Sequence, residues 1–82
     1  MNIKVEDVVL FYVDPFKQGR SREILQDGSV TAIYEDGVLI HYLYGHHGLS
    51  DVIPFEDIYY VLDTENGEHM DLKGFSGHFR KL

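Results

Sequence analysis

Cysteine is missing from all 82 residues of the chain. That excludes disulfides and thiolate metal sites, and it fits a reducing, cytoplasmic setting. Long apolar runs are missing too. The longest, Val8 to Val13, falls far short of the roughly 20 residues a membrane helix needs. Residues 1–7 show no basic region followed by an apolar stretch, so no signal peptide is expected. Finally, there is no lysine or arginine between Glu23 and Leu72. That interval holds 11 of the 14 Asp and Glu residues, while Lys4, Lys17, Arg20, Arg22, Lys73, Arg80 and Lys81 all lie outside it. The interval carries −11 and its flanks +4, which gives the net charge of −7. Such a surface repels phosphate backbones and argues against direct nucleic-acid binding.

What remains is a folding composition. Apolar residues make up 44% and aromatics 13% of the chain, and the acids alternate with Val, Ile, Leu and Tyr, so this is not a disordered acidic tail. A chain of this size forms one domain, residues 1–82, and buries roughly 60–65% of its unfolded surface.

Hydrophobic spacing predicts strands. Val5 to Val13 is apolar on both faces from Val8 onward, as in a strand covered on each side, and Asp14-Pro15 ends it. Residues 16–27 read as a cationic loop, a short helical turn capped by Ser21, or a strand lead-in. Asp27-Gly28 and Glu35-Asp36-Gly37 are turn signals, and Ser29–Tyr34 and Val38–Tyr44 between and after them form the strongest hairpin. A two-residue loop at Asp36-Gly37 pairs Ile33 with Ile40. The favoured three-residue loop, with Gly37 left-handed, pairs Val30 with Tyr42 and Ala32 with Ile40. It gathers Val30, Ala32, Tyr34, Val38, Ile40 and Tyr42 on one face. Asp51–Ile53 is a short strand. Pro54-Phe55-Glu56-Asp57 begins a 3₁₀ turn with proline and acids in its first turn. Ile58–Leu62 is another strand, and Asn66-Gly67 returns the chain along Glu68–Leu72. Gly74, Ser76 and Gly77 make the last segment irregular, with Phe75, Phe79 and Leu82 docking. Short strands separated by glycine turns indicate an all-β barrel or sandwich.

The pattern Gly28-x-Val30-x-x-Ile33, Asp36-Gly37-x-x-Ile40-x-Tyr42-x-Tyr44 and Ile53-Pro54-x-x-Asp57-Ile58, after a strand opening at Val5-Glu6-Asp7, resembles the SH3-like barrels of the Tudor, KOW and agenet type. The resemblance covers about 55 residues and contains no catalytic signature. It implies a barrel of five to six short antiparallel strands over residues 3–62, with a 3₁₀ turn near 54–57 and an added hairpin or arm over 63–82. Tudor-like domains hold methylated lysine or arginine in an aromatic cage helped by an acid. The resemblance places Tyr42, Tyr44, Phe55 and Tyr59 near such a position, with Asp51 and Glu56 as acidic partners. The alternative is that these rings fill the barrel core. KOW-type domains bind nucleic acid through basic loops, but here only residues 17–22 and 73–81 are basic.

Other chemistry is sparse. His46-His47, near His41 and Asp51, are weak candidates for a divalent metal, since adjacent histidines seldom reach one ion. His69 or His78 joins a site only if the fold brings them together. Glu35-Asp36 and Glu56-Asp57 sit at turns, where acids serve solvation and capping. The serines occur in no nucleophile motif, and Gly74-Phe75-Ser76-Gly77 has no phosphate-loop lysine. No enzymatic activity and no cofactor are expected.

Two functions fit. The first is a protein-interaction module whose acidic, tyrosine-rich surface (Tyr42, Tyr44, Asp51, Phe55, Glu56, Asp57, Tyr59 and Tyr60) receives a basic protein or peptide. The second is an acidic inhibitor of the phage or mobile-element kind, whose carboxylates stand in for phosphates on a nucleic-acid-binding protein. Tyrosine walls with a few acids favour the first, and acids aligned along one edge favour the second. A homodimer is also consistent with strands that are apolar on both faces.

Overall fold

A computed structural model describes residues 3–13, 24–43, 49–72 and 75–82. The fold is all-β. In chain order the strands are β1 (Val8–Val13), β2 (Ile24–Ile33), β3 (Gly37–Tyr42), β4 (Ser50–Pro54), β5 (Ile58–Leu62), β6 (Glu68–Leu72) and β7 (Phe75–Lys81), with a 3₁₀ turn at Phe55–Asp57. All seven belong to one antiparallel sheet in the order β4-β3-β2-β1-β5-β7-β6. Among the described residues no helix is long and apolar enough to cross a membrane.

The first five strands form the barrel body. β1 pairs with β2 on one side and with β5 on the other. Val9 and Phe11 of β1, Val30 of β2, Val38, Ile40 and Tyr42 of β3, Ile53 of β4, and Ile58 and Val61 of β5 join one buried cluster. Strands from both ends of this five-strand run share that core, so the sheet curls around it. β1 is covered on both faces, as its apolar run predicts: Leu10, which points away from the main cluster, is only 1% exposed.

Proline and acids mark the 3₁₀ turn, as expected. Pro54 is its N-cap, with extended φ and ψ, and Glu56 and Asp57 occupy its first turn. The fixed φ of proline suits that entry, and the acids face the positive end of the turn's dipole.

The hairpin register differs from both expected forms. Tyr34 N–H donates to Gly37 C=O at 2.8 Å, so the loop is Glu35-Asp36 and Gly37 already belongs to β3. Ile33 pairs with Val38 and Val30 with Ile40, while the pairing skips Thr31 as a bulge. Val30, Val38, Ile40 and Tyr42 still face the core, but Tyr34 is exposed. Gly37 does not take a positive φ. It is required by close approach, since a Cβ there would lie 2.5 Å from the Ile53 carbonyl oxygen of β4.

Asp27-Gly28 is not a turn. Both residues lie inside β2, opposite Leu10 and Val9 of β1. Strand β2 thus takes in Ile24–Asp27, while the loop and helical-turn readings of 16–23 lie outside the described residues. The Asn66-Gly67 turn does reverse the chain, but β6 does not return along β5. The final strand inserts between them, and β7 pairs with β5 on one side and β6 on the other. The segment expected to be irregular, Phe75–Lys81, is this regular strand. Phe79 on it is buried, and Leu82 packs against the core.

Candidate functional site

The barrel brings two acidic turns together. Gly37 pairs with Pro54, and one step further Phe55 N–H donates to the Asp36 carbonyl at 3.3 Å. The Glu35-Asp36 loop and the Phe55–Asp57 turn therefore meet at one end of the barrel. Glu35, Asp36 and Glu56 are exposed and Asp57 is half-buried. Two exposed tyrosines adjoin these turns in sequence, Tyr34 before the loop and Tyr59 after the 3₁₀ turn. Four carboxylates gathered at the surface in this way create a local negative potential.

Tyr59 is bulged out of the β1–β5 ladder. Leu10 pairs with Tyr60 and Phe11 with Ile58, so Tyr59 has no partner position on β1. Its ring meets Tyr12 edge-on, with centroids 4.8 Å apart and planes at 81°. That arrangement suits the ring quadrupoles and holds Tyr59 in place although it is 37% exposed. Beside it a hollow of about 210 Å³ is lined by Glu56, Ile58, Tyr59, Lys81 and Leu82. Leu82 N–H donates to the Tyr59 carbonyl at 3.1 Å, which fixes the C-terminal wall of this hollow.

The residues singled out in the sequence are therefore divided. Glu56, Asp57 and Tyr59 share the acidic end. Tyr60 lies in β5 opposite Leu10 and Lys81. Phe55 packs against the core from the 3₁₀ turn. Tyr42 is buried and its ring lies 5.9 Å from that of Phe11. Its hydroxyl donates to Asp51 Oδ2 at 3.5 Å, so Tyr42 and Asp51 do meet, at the β3–β4 border. Burial, and then the Asp51 charge, push the Tyr42 hydroxyl above its usual value. Tyr44, His46 and His47 lie outside the described residues. The sequence does not single out Tyr12 or Tyr34: Tyr12 reads as part of a buried strand, and the expected three-residue loop sets Tyr34 on the same face as Val30 and Ile40.

Acidity dominates the rest of the surface. Of the acids among the described residues, only Asp27 is buried. The cations among the described residues are Lys4, Arg80 and Lys81, and Arg80 Nε bonds Asp63 Oδ2 at 3.2 Å. Asp63 also accepts the N–H of Asn66 at 2.8 Å and of Glu65 at 3.2 Å. The Asn66 N–H first, and Arg80 further, hold the Asp63 carboxyl below its usual range.

The β4 edge of the sheet is closed to ordinary strand pairing. Tyr42 N–H bonds the Leu49 carbonyl, so by antiparallel alternation Ser50, Val52 and Pro54 turn their backbone groups outward. Val52 N–H is occupied by Asp51 Oδ1 at 2.9 Å, and proline has no N–H. The edge offers acceptors almost alone, which discourages a second strand.

Comparison with family models, with curated proteins and with solved structures finds no match to this chain.

Proposed function

We propose that this protein is a non-catalytic interaction module whose acidic end receives a cationic segment of a partner protein. The observation that supports this reading best is the junction of the Glu35-Asp36 loop with the Phe55–Asp57 turn through the Asp36–Phe55 hydrogen bond. It places four acids together, adjoined by exposed tyrosines. Carboxylates attract and orient lysine or arginine, and a fixed aromatic ring supplies contact area and a cation–π face. The acceptor-rich β4 edge favours the same kind of ligand, because guanidinium and ammonium groups bring only donors.

Within this reading the barrel is SH3-like, of the Tudor, KOW or agenet type, and works in the cytoplasm. The strand order and the 3₁₀ turn before β5 support that relationship. A methyl-lysine cage is less well supported, since Tyr42 and Phe55 pack inward. The inhibitor reading, with carboxylates replacing phosphates, calls for acids in a row. The acids instead cluster at the junction of two turns, which favours the peptide-binding reading.

Affinity capture with the full chain, followed by mass spectrometry, tests this. A quadruple variant, Glu35→Gln, Asp36→Asn, Glu56→Gln and Asp57→Asn, serves as the control bait. The expected result is a basic protein retained by the natural chain and lost from the variant. Retention of the same proteins by both baits would sink the proposal. Selective capture of a nuclease or other DNA-binding enzyme would replace it with the inhibitor reading.

A further inference from the structure

We propose that His69 and His78 form a two-imidazole site for a divalent transition-metal ion on the outer hairpin. The sequence leaves these residues nine positions apart, and only the strand pairing unites them. His69 of β6 lies directly opposite His78 of β7. Both side chains are exposed, and their ring centroids are 5.4 Å apart with planes at 72°.

The hydrogen-bond pattern brings them close. Asp63 N–H donates to the His78 carbonyl and Leu82 N–H to the Tyr59 carbonyl. The even-numbered residues of β7 therefore bond to β5, and the odd-numbered ones bond to β6. His69 and His78 thus form a non-hydrogen-bonded pair of the β6–β7 ladder, the class in which opposed side chains approach nearest.

The separation fits a bound ion. Zinc–nitrogen bonds are about 2.0–2.1 Å, and a ring centroid lies roughly 1.1 Å behind its nitrogen, so two imidazoles at a tetrahedral angle have centroids about 5.2 Å apart. The observed 5.4 Å is close to that separation, and a turn of the rings would aim one nitrogen of each at a shared point. Imidazole is a ligand suited to zinc, nickel and copper. Among the described residues no group of three or more His, Cys, Asp or Glu is placed to hold a metal, so water completes the coordination. Glu68 and Asp71, exposed on the same strand, add to the field that draws a cation to the hairpin. The ion ties the edge strand β6 to β7 near the middle of their ladder. This site is independent of the acidic end and of the function proposed for it.

Zinc ions titrated into the ¹⁵N-labelled full chain test the site, with amide shifts as the readout. The expected result is saturable, chelator-reversible shifts centred on residues 68–71 and 76–79. His69→Gln and His78→Gln each reduce a chelate to a single ligand, and each should weaken binding about 100-fold. Both side chains are solvent-exposed, so the fold survives the substitutions and the rest of the spectrum is unchanged. A His46→Gln/His47→Gln double variant should bind zinc at these amides as the natural chain does. Binding that is unaffected by His69→Gln and His78→Gln, or that vanishes in the His46→Gln/His47→Gln variant, overturns the proposal. So does an absence of shifts at millimolar zinc.

Discussion

Asp27 is the one acid among the described residues drawn out of water, at 6% exposure. It lies in β2 opposite Leu10, and Leu43 N–H reaches its carbonyl at 3.4 Å. Burial raises its carboxyl above the ordinary value of 3.8, against a smaller opposing effect of its own backbone N–H. A raised carboxyl binds its proton more tightly in the folded chain than in the unfolded one. Its contribution to stability is therefore fully present in acid and is lost as pH rises through the folded value. Asp63 has the opposite sign: its lowered carboxyl favours the fold above 3.8, and that support is lost as pH falls through its folded value. Asp27→Asn removes a buried charge and should raise stability at pH 7 by on the order of 1 kcal/mol. Urea unfolding at pH 7 and pH 3 checks this, with the gain expected to shrink at pH 3. Gly28 gives a second residue-scale test. A Cβ there would meet Phe11 Cε1 and the Ile40 Cβ and Cδ1 atoms at 3.2 Å each. Those neighbours are fully buried and have little room to yield, so Gly28→Ala should cost about 1–3 kcal/mol in the same assay.

At the scale of the element, the turn leading into β1 holds a residue of the wrong kind. Asp7 N–H donates to the Lys4 carbonyl at 3.1 Å, and Lys4 N–H to Asp7 Oδ2 at 2.9 Å. Glu6 between them takes a φ of 80°, the third position of a type II turn, where glycine is normal. A left-handed non-glycine residue costs roughly 1–2 kcal/mol, part of which glycine's larger unfolded-state entropy offsets. Glu6→Gly should therefore stabilise the protein by about 0.5–1 kcal/mol, read as a higher urea midpoint with unchanged slope. Elements with a physical marker were the legible ones. Ile58–Leu62 and the Pro54–Asp57 turn were readable because proline and β-branched residues act locally. Gly28 and Gly37 were misread because glycine marks a close approach as often as a turn, and only the neighbouring strand distinguishes the two. The bulge at Thr31 shifted the hairpin register without a sequence sign of its own. The insertion of β7 between β5 and β6 was hidden for a further reason. Strand adjacency is a long-range choice, seen here in the β5–β7 ladder.

Across the whole molecule, the cation-free stretch from Glu23 to Leu72 becomes a surface. Its acids among the described residues lie outside the core except Asp27, and two pairs of them meet where the β2–β3 loop touches the 3₁₀ turn. The composition made the sign of that surface plain. The convergence at Asp36 and Phe55 was not readable, because the two turns are some twenty residues apart and only the pairing of β3 with β4 joins them. The tyrosines divide in a way that composition cannot show: Tyr42 fills the core, while Tyr59 stands at the surface against Tyr12. The proposed binding of cationic segments by the acidic end is read directly in a titration of the ¹⁵N-labelled full chain with an extended lysine- and arginine-rich peptide. The expected result is saturable shifts clustered at residues 34–37 and 54–60, weakened by salt, with affinity falling about tenfold or more when Glu35, Asp36, Glu56 and Asp57 are all converted to their amides. Equal binding by that variant, or shifts centred elsewhere on the barrel, would contradict it.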